Sequence, residues 1–362
     1  MTKLRDASMD KNMGLTSSNN SYNYDICEIG TVLSQDIILL ICLGIKVALS
    51  IFGVIVLPIV LLREKLSSFF HKNAREIFRL HIWLVLVAAF GTIASDGFDL
   101  LRLTVFKWMS HDITCPVFPI SSRIGLPLRL IKIFGMSGCA HAFLASAIER
   151  IYATIKAHTY EEVNNNIGKI LSVVSLLATF AVMLVVWIFS ESEVYMPMTV
   201  IPPGGIKYSL GSLYIDGGLE VLIVIIFGIL FVLNCYRKKT STHITHSLSF
   251  KFQTRENVAT TALLFPLALL HAAFQLTTAV IMPTLLIGET DQVKRTRLVG
   301  VLDIIPLYNA ALPLVMMWRI RAKRRKIEEL FESNFIGRFS TGKDDADKMK
   351  SVHFEMLENM FK

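Results

Sequence analysis

The sequence predicts an all-α membrane protein: a bundle of seven transmembrane helices with its N-terminus outside. Three observations predict this. Seven long apolar stretches follow one another along the chain, Lys and Arg collect on alternate connections between them, and 53% of the 362 residues are hydrophobic while only 18% are charged. A mean hydropathy of +0.52 is out of reach for a soluble domain of this size. The stretches run approximately over 37–62, 80–103, 128–153, 167–189, 218–235, 258–283 and 298–318, the fifth being the shortest. Each is near or above the roughly 20 residues that cross a ~30 Å hydrocarbon layer. Backbone in hydrocarbon must satisfy its own hydrogen bonds, which leaves helices or a closed barrel. Barrel strands alternate apolar and polar over roughly 10 residues, whereas these runs are continuous.

Orientation follows from the positive-inside rule. Arg63, Lys65, Lys72, Arg75 and Arg79 follow span one; Arg150, Lys156 and Lys169 lie between spans three and four; Arg237, Lys238, Lys239, Lys251 and Arg255 lie between spans five and six. A dense block from Arg319 to Lys326 follows span seven, while the connections on the opposite side carry Lys107, Arg123, Lys207, Lys294, Arg295 and Arg297, and Lys3, Arg5 and Lys11 stand too far from span one to weigh much. The tail is therefore cytoplasmic. The first 30 residues hold no apolar run resembling a cleavable signal, so span one is expected to act as the insertion signal. The organisation expected is an outer segment 1–36, a bundle 37–318, a basic amphipathic helix on the membrane surface over 319–331, and a polar tail 332–362 with Ser340 and Thr341 open to phosphorylation. The net charge of +8 reflects this topology and attraction to anionic lipid. No zinc spacing or aromatic-basic interleaving points to nucleic acid, and no residue pattern specifies an oligomeric state.

Outside the membrane, Asn19-Asn20-Ser21 is a glycosylation sequon at Asn19. Cys27 and Cys115 flank the outer ends of spans one and two, either as a bridge stapling the N-terminal segment over the outer mouth or as two free thiols. The connection between spans four and five has no cysteine, so the bridge from span three to that loop usual in rhodopsin-like receptors cannot form. Cys42, Cys139 and Cys235 fit ordinary apolar packing.

Charges within spans cost about 2.5–3.5 kcal/mol each at a helix centre, so they face the bundle. Asp96 and Asp99 share one face of span two, and Arg129 and Lys132 one face of span three. Neighbouring antiparallel helices would bring these pairs together one to two turns below the outer surface. A structural ion cluster is the preferred reading, with ligand contact the alternative. Lys46 of span one is expected to pair with Asp303 of span seven, with Asp96 competing. His141 of span three and His271 of span six are expected to face each other near mid-membrane, with Gln275 one turn above, as the floor of a polar cavity. The alternative for each His is a bond to a backbone carbonyl. Pro266 and Pro283 in span six and Pro306 and Pro313 in span seven favour kinks that act as hinges.

On the cytoplasmic face, span three ends in Ala147-Ile148-Glu149-Arg150-Ile151-Tyr152-Ala153-Thr154. An acid beside an Arg at that point can hold the Arg in one state and release it in another. The alternative is an Arg anchored to lipid phosphate. The segment Leu248 to Asn257, with Arg255, Glu256 and Asn257, reads as a cytoplasmic extension of span six.

Ordered along the chain, His71-Lys72-Asn73, Asp112 to Cys115, Glu149-Arg150 with Ala153-Thr154, Tyr160-Glu161, Leu248-Ser249, Phe252-Gln253, Glu256-Asn257, Tyr308-Asn309, Leu312-Pro313 and Trp318-Arg319 form a recurring set. In their placement the chain resembles the nematode serpentine chemoreceptors of the Sra superfamily, most closely class alpha/beta. Phe252 departs from that pattern, where Tyr is frequent. The resemblance implies a GPCR-like bundle in the plasma membrane of sensory neurons, a small external chemical cue and a heterotrimeric G protein as partners.

Under that reading Asp96, Asp99, Lys132, His141, His271, Gln275 and Asp303 are ligand-binding candidates, and Glu149, Arg150, Arg255, Glu256 and Asn257 form the coupling switch. The rival is a seven-span channel or transporter, but the halves show no internal repeat. Insect seven-helix chemoreceptor channels have the reverse topology. No cofactor is expected: a retinal protein needs a Lys in span seven, and 298–318 contains none. Nor is catalysis, because the buried acids stand beside basic residues.

Overall fold

The computed structural model describes residues 26–63, 71–109, 115–157, 160, 166–190, 193–241 and 248–336. Asn19, Asp112, Glu161 and the tail beyond residue 336 lie outside them, as do Ser340 and Thr341. A short helix α1 (26–35) precedes span one. Span one is α2 (Ile37–Arg63), and span two is α3 (Lys72–Leu101), continued by a π-helical turn (Arg102–Phe106) and α4 (Lys107–Met109). Spans three to six are α5 (Ser122–Ile155), α6 (Asn166–Ile188), α7 (Pro203–Ser241) and α8 (Leu248–Leu286). Span seven is divided into α9 (Gln292–Leu302) and α10 (Ile305–Ile336). Among the described residues, seven helical segments are thus long and apolar enough to cross a membrane.

The bundle is built around α5. Its membrane window is 67% buried, against 22% for the window of α6. Small residues explain this position. A Cβ added at Gly91 would meet the backbone of Lys132, and one added at Gly135 would meet the backbone of Ala88, so α3 and α5 touch main chain to main chain. Below this contact the core is filled by Phe143, Phe227, Leu267, Tyr308 and Leu312, none more than 1% exposed. Ile38, Ile41, Ile45, Ile55 and Ile59 of α2, and Val173, Leu177 and Phe180 of α6, point outward as a lipid-facing surface requires.

Three boundaries differ from the sequence expectation. Span five begins at Pro203 rather than near 218, because its outer third carries Gly, Ser and Tyr in place of an apolar run. Span seven is broken at Asp303 and Ile304 instead of merely kinked: Asp303 is extended at ψ 97° and closes α9, while its Oδ1 accepts from Ile305 N at 3.3 Å to start α10. Pro306 lies in the first turn of α10, where it has no hydrogen bond to lose. Finally, α10 runs without a break at Trp318 through Ile336, so 319–331 is the continuation of span seven rather than a separate surface helix. Helix-forming Ala, Lys, Arg and Glu without Gly or Pro explain that continuity.

The outer face is tied down in two ways. Cys27 and Cys115 form a disulfide, with Cα atoms 5.3 Å apart, linking α1 to the connection after span two. Strand β1 (Ile120–Ser121) pairs antiparallel with β2 (Tyr195–Met196), with Ile120 opposite Met196. Ser122 N also donates to Val194 O at 2.8 Å. Backbone pairing therefore holds the fourth connection over the top of span three, where no cysteine could. Replacing Gly91 with Ala should cost about 1–3 kcal/mol by over-packing α3 against α5. Gly44→Ala, in open space, should be neutral; thermal unfolding of the purified protein in nanodiscs compares the two.

Candidate ligand cavity and cytoplasmic switch

An apolar cavity of about 350 Å³ lies in the outer half between spans three, five, six and seven. Ile133 and Met136 of α5, Leu210 and Leu213 of α7 and Met282 and Leu286 of α8 form much of its wall. Val200 and Ile201 of the fourth connection close it from outside. Its polar groups converge from several helices: Arg129, Lys132 and Ser137 from span three, Gln275 and Thr278 from span six, and Arg295, Thr296 and Asp303 from span seven. Such a cavity, mostly apolar with a few placed polar groups, is the common form of a small-molecule site.

Its charged wall is an ion cluster joining four spans. Asp96 takes Arg129 Nη1 on Oδ1 at 3.2 Å, and Lys132 Nζ and Lys46 Nζ on Oδ2 at 2.9 and 3.1 Å. Asp303 pairs through Oδ2 with Lys132 Nζ and, at 3.5 Å, with Arg129 Nη2. Lys46 therefore pairs directly with the expected competitor, Asp96, rather than with Asp303. Arg129 and Lys132 bridge the two acids, and Lys46 joins Lys132 on Oδ2 of Asp96.

Asp99 does not join this cluster. Its carboxylate accepts from Thr199 N at 2.9 and 3.1 Å and from Thr199 Oγ1, and it faces Arg102 at 3.5 Å. Arg102 is fully buried, donates to the carbonyls of Phe118 and Pro197, and lies 5.7 Å from the Phe118 ring centroid. Asp99 and Arg102 thus clamp the loops over the cavity.

His141 departs from the expected cavity floor. Its Nδ1 lies 2.9 Å from Ser137 O and 3.2 Å from Thr179 Oγ1, so the ring turns to span four and is only half-buried. His271 is fully buried, but its partner is Glu220 of span five, 2.6 Å away. Its ring stacks edge-on against Tyr308 at 4.8 Å, and the Tyr308 hydroxyl shares a 2.9 Å hydrogen bond with His81 Nε2. One turn above Glu220, Asp216 accepts from Ser137 Oγ at 3.2 Å. Ser137 lines the cavity, so Ser137, Asp216, Glu220, His271, Tyr308 and His81 form a buried polar column descending from it. Gln275 lines the cavity directly above His271. Glu220, Asp216, His81 and Arg102 were missed by sequence reasoning, and Tyr308 stood there only among the motifs of the resemblance. The signal was present: Asp216 and Glu220 are the only carboxylates of α7 and stand four apart, on one face.

A second polar cluster lies at the cytoplasmic end of span three. Glu149 receives Arg150 Nε and Nη2, each at 2.5 Å, and the Tyr160 hydroxyl. Arg150 Nη1 donates to Asn257 Oδ1 at 3.3 Å, and Asn257 Nδ2 donates to Ala153 O at 3.1 Å. Glu149, Arg150 and Tyr160 are all 0% exposed, so the acid and base are sealed from solvent rather than anchored to lipid. Burial first, then the Glu149 carboxylate, push the Tyr160 hydroxyl well above its usual range, which keeps it a donor. Arg255 projects outward, away from this cluster, and Glu256 is half-buried near it.

A seven-helix bundle with an outer cavity and a sealed inner acid-Arg pair has the architecture of a serpentine receptor. Residues 25–341 match the family model described as serpentine type 7TM GPCR receptor class ab chemoreceptor. The chain belongs to this chemoreceptor family. The receptor is also 22% identical over 211 residues to serpentine receptor class beta-16 of Caenorhabditis elegans, a match covering 57% of this chain and 58% of that one. It thus spans rather more than half the length of the relative it matches. Among the described residues, no group of three or more His, Cys, Asp and Glu side chains could hold a metal ion.

The ion cluster supplies a stability prediction. Asp96→Asn leaves three buried cations sharing Asp303, and breaking a buried pair in this way costs about 3–5 kcal/mol. Melting temperature and the folded fraction in detergent should fall far more than for Glu193→Gln, whose pair with Arg123 is exposed.

Proposed function

We propose that this receptor binds a small external chemical cue in the outer cavity and signals to a heterotrimeric G protein through its cytoplasmic face. The observation that carries this reading is the buried polar column, which links the cavity at Ser137 to spans five, six, seven and two through Asp216, Glu220, His271, Tyr308 and His81. Ligand that shifts span five or six at the cavity displaces the groups to which Glu220, His271 and Asn257 are attached. Pro266 of α8 lies between the cavity and the cluster, the place for a hinge.

Release of Arg150 is the switch. Glu149 and Asn257 hold it in the closed arrangement, with Tyr160 fixing the Glu149 carboxylate, and an outward movement of α8 removes Asn257 and opens a docking surface. Chemosensory neurons are the setting that family membership suggests. A channel is the less favoured reading, because the layer under the cavity is packed by Phe143, Phe227, Leu267 and Tyr308.

Tyr160→Phe removes a hydrogen bond to a charged group, worth about 1.5–3 kcal/mol, and should raise basal signalling roughly tenfold. Arg150→Ala should abolish cue-evoked signalling at equal surface expression. Both are read in host cells carrying a chimeric G-protein reporter; cue-evoked current that persists without any G protein would replace the receptor reading with a channel. Pro266→Ala should shift basal output in the same cells, and unchanged output would remove the hinge.

A further inference from the structure

Several cations in the outer half of the bundle pair one to one with an acid. Arg102 is matched by Asp99, Arg297 by Asp36 at 2.6 Å, Arg123 by Glu193 and Lys294 by Glu289 at 2.6 Å. The buried cluster is different: three cations, Lys46, Arg129 and Lys132, share two carboxylates, Asp96 and Asp303. Lys46 Nζ stands within ion-pair distance of Asp96 but makes no hydrogen bond.

The cavity sees this surplus directly. Arg129, Lys132 and Asp303 of the cluster line it, and Arg295 lines it as well, bonded to the backbone oxygen of Glu289 at 2.7 Å while the Glu289 carboxylate goes to Lys294. Asp216 stands behind Ser137 and does not line the cavity, and Glu220 is engaged deeper by His271. Three cationic side chains and one acidic side chain therefore face a chamber whose remaining wall is largely Leu, Ile, Met and Val. An uncompensated charge out of water costs several kcal/mol, and a bound anion of opposite sign recovers much of it.

Resting on the receptor reading of the cavity, we infer that its ligand is a small amphipathic monoanion: a carboxylate head on an apolar body. The head meets Lys132 and Arg129 beside the Asp303 break, and Arg295 draws it in at the outer end. The body fills the wall formed by Ile133, Met136, Leu210, Leu213 and Met282. A cationic ligand would add to the surplus, and a neutral ester would leave it unmatched.

The test measures binding without signalling, so that failure of the ligand class and failure of G-protein coupling are separated. Octanoate and hydrocinnamate, each with its methyl ester and the primary amine of the same skeleton, are titrated against purified full-length receptor in nanodiscs, with thermal shift as readout. Each acid should bind at least about tenfold more tightly than its ester or amine, a difference of roughly 1.4 kcal/mol. Lys132→Met should erase that preference and Lys132→Arg should retain it. Should Lys132→Met fail to fold, Arg295→Gln, nearer the surface, should weaken both acids and leave both esters unchanged. Equal affinities within a series, tighter binding of the amine, or no binding of either acid at millimolar concentration would overturn the assignment. A result in which acids bind but evoke no reporter signal supports the ligand class and counts against the coupling.

Discussion

Five charged side chains buried together decide how the outer half of this bundle is built. None of Lys46, Asp96, Arg129, Lys132 and Asp303 is more than 9% exposed, and each would be costly in hydrocarbon if left alone. Their mutual contacts require spans one, two, three and seven to meet at one depth. The glycines at 91 and 135 allow α3 and α5 to approach closely enough for Asp96 to reach both Arg129 and Lys132. The break in span seven belongs to the same solution. It exposes backbone inside the membrane, which is tolerated only where protein covers it. Asp303 covers it twice over, capping α10 with one oxygen and holding Lys132 with the other.

Fixing these four spans confines where movement can occur. Spans five and six pack extensively on each other, and individual hydrogen bonds attach them to span three: Ser137 to Asp216 above, and below Thr154 to Asn234, Arg237 to Thr154 O, Arg150 to Asn257 and Asn257 to Ala153 O. Individual hydrogen bonds of this kind are worth about 1–3 kcal/mol, small beside a shared ion cluster. The bundle therefore divides into a braced part and a part held by exchangeable bonds, and the cavity lies on the seam between them. A ligand seated there touches both parts, as a difference in affinity between two states demands.

The spans, their order and the positive face were legible because hydrophobic length and Lys/Arg placement act on each residue independently of its neighbours. Pairing between Asp96 and the span-three cations was also legible, since helical spacing and antiparallel packing fix depth. What could not be read was rotation about a helix axis. His141 and His271 have equal depth by counting, yet Thr179 draws one toward span four and Glu220 draws the other toward span five. Nor could the partner of Lys46 be read: Arg129 and Lys132 touch both acids, and which of the two Lys46 reaches depends on how the helices are rotated. The outer third of α7 was read as loop for a related reason. Residues that face a cavity are chosen for its lining, and their mixed polarity masks the apolar run.

The inner cluster has the opposite character to the outer one. Glu149 and Arg150 balance each other within one turn of one helix, so this pair needs no second span to be electrically neutral. What Asn257 and Tyr160 add is geometry, two neutral groups that decide whether the Arg150 side chain is sealed in or turned outward. Neutral clamps suit the proposed switch: breaking a bond to Asn257 or Tyr160 leaves no carboxylate or cation behind on the clamping group. The outer cluster could not be opened at that cost, since moving any one of its spans would leave a carboxylate or a cation unmatched. Under the proposed reading, charge surplus at the outer site and charge balance at the inner one suit them to different tasks, the first to attract an ion and the second to change shape.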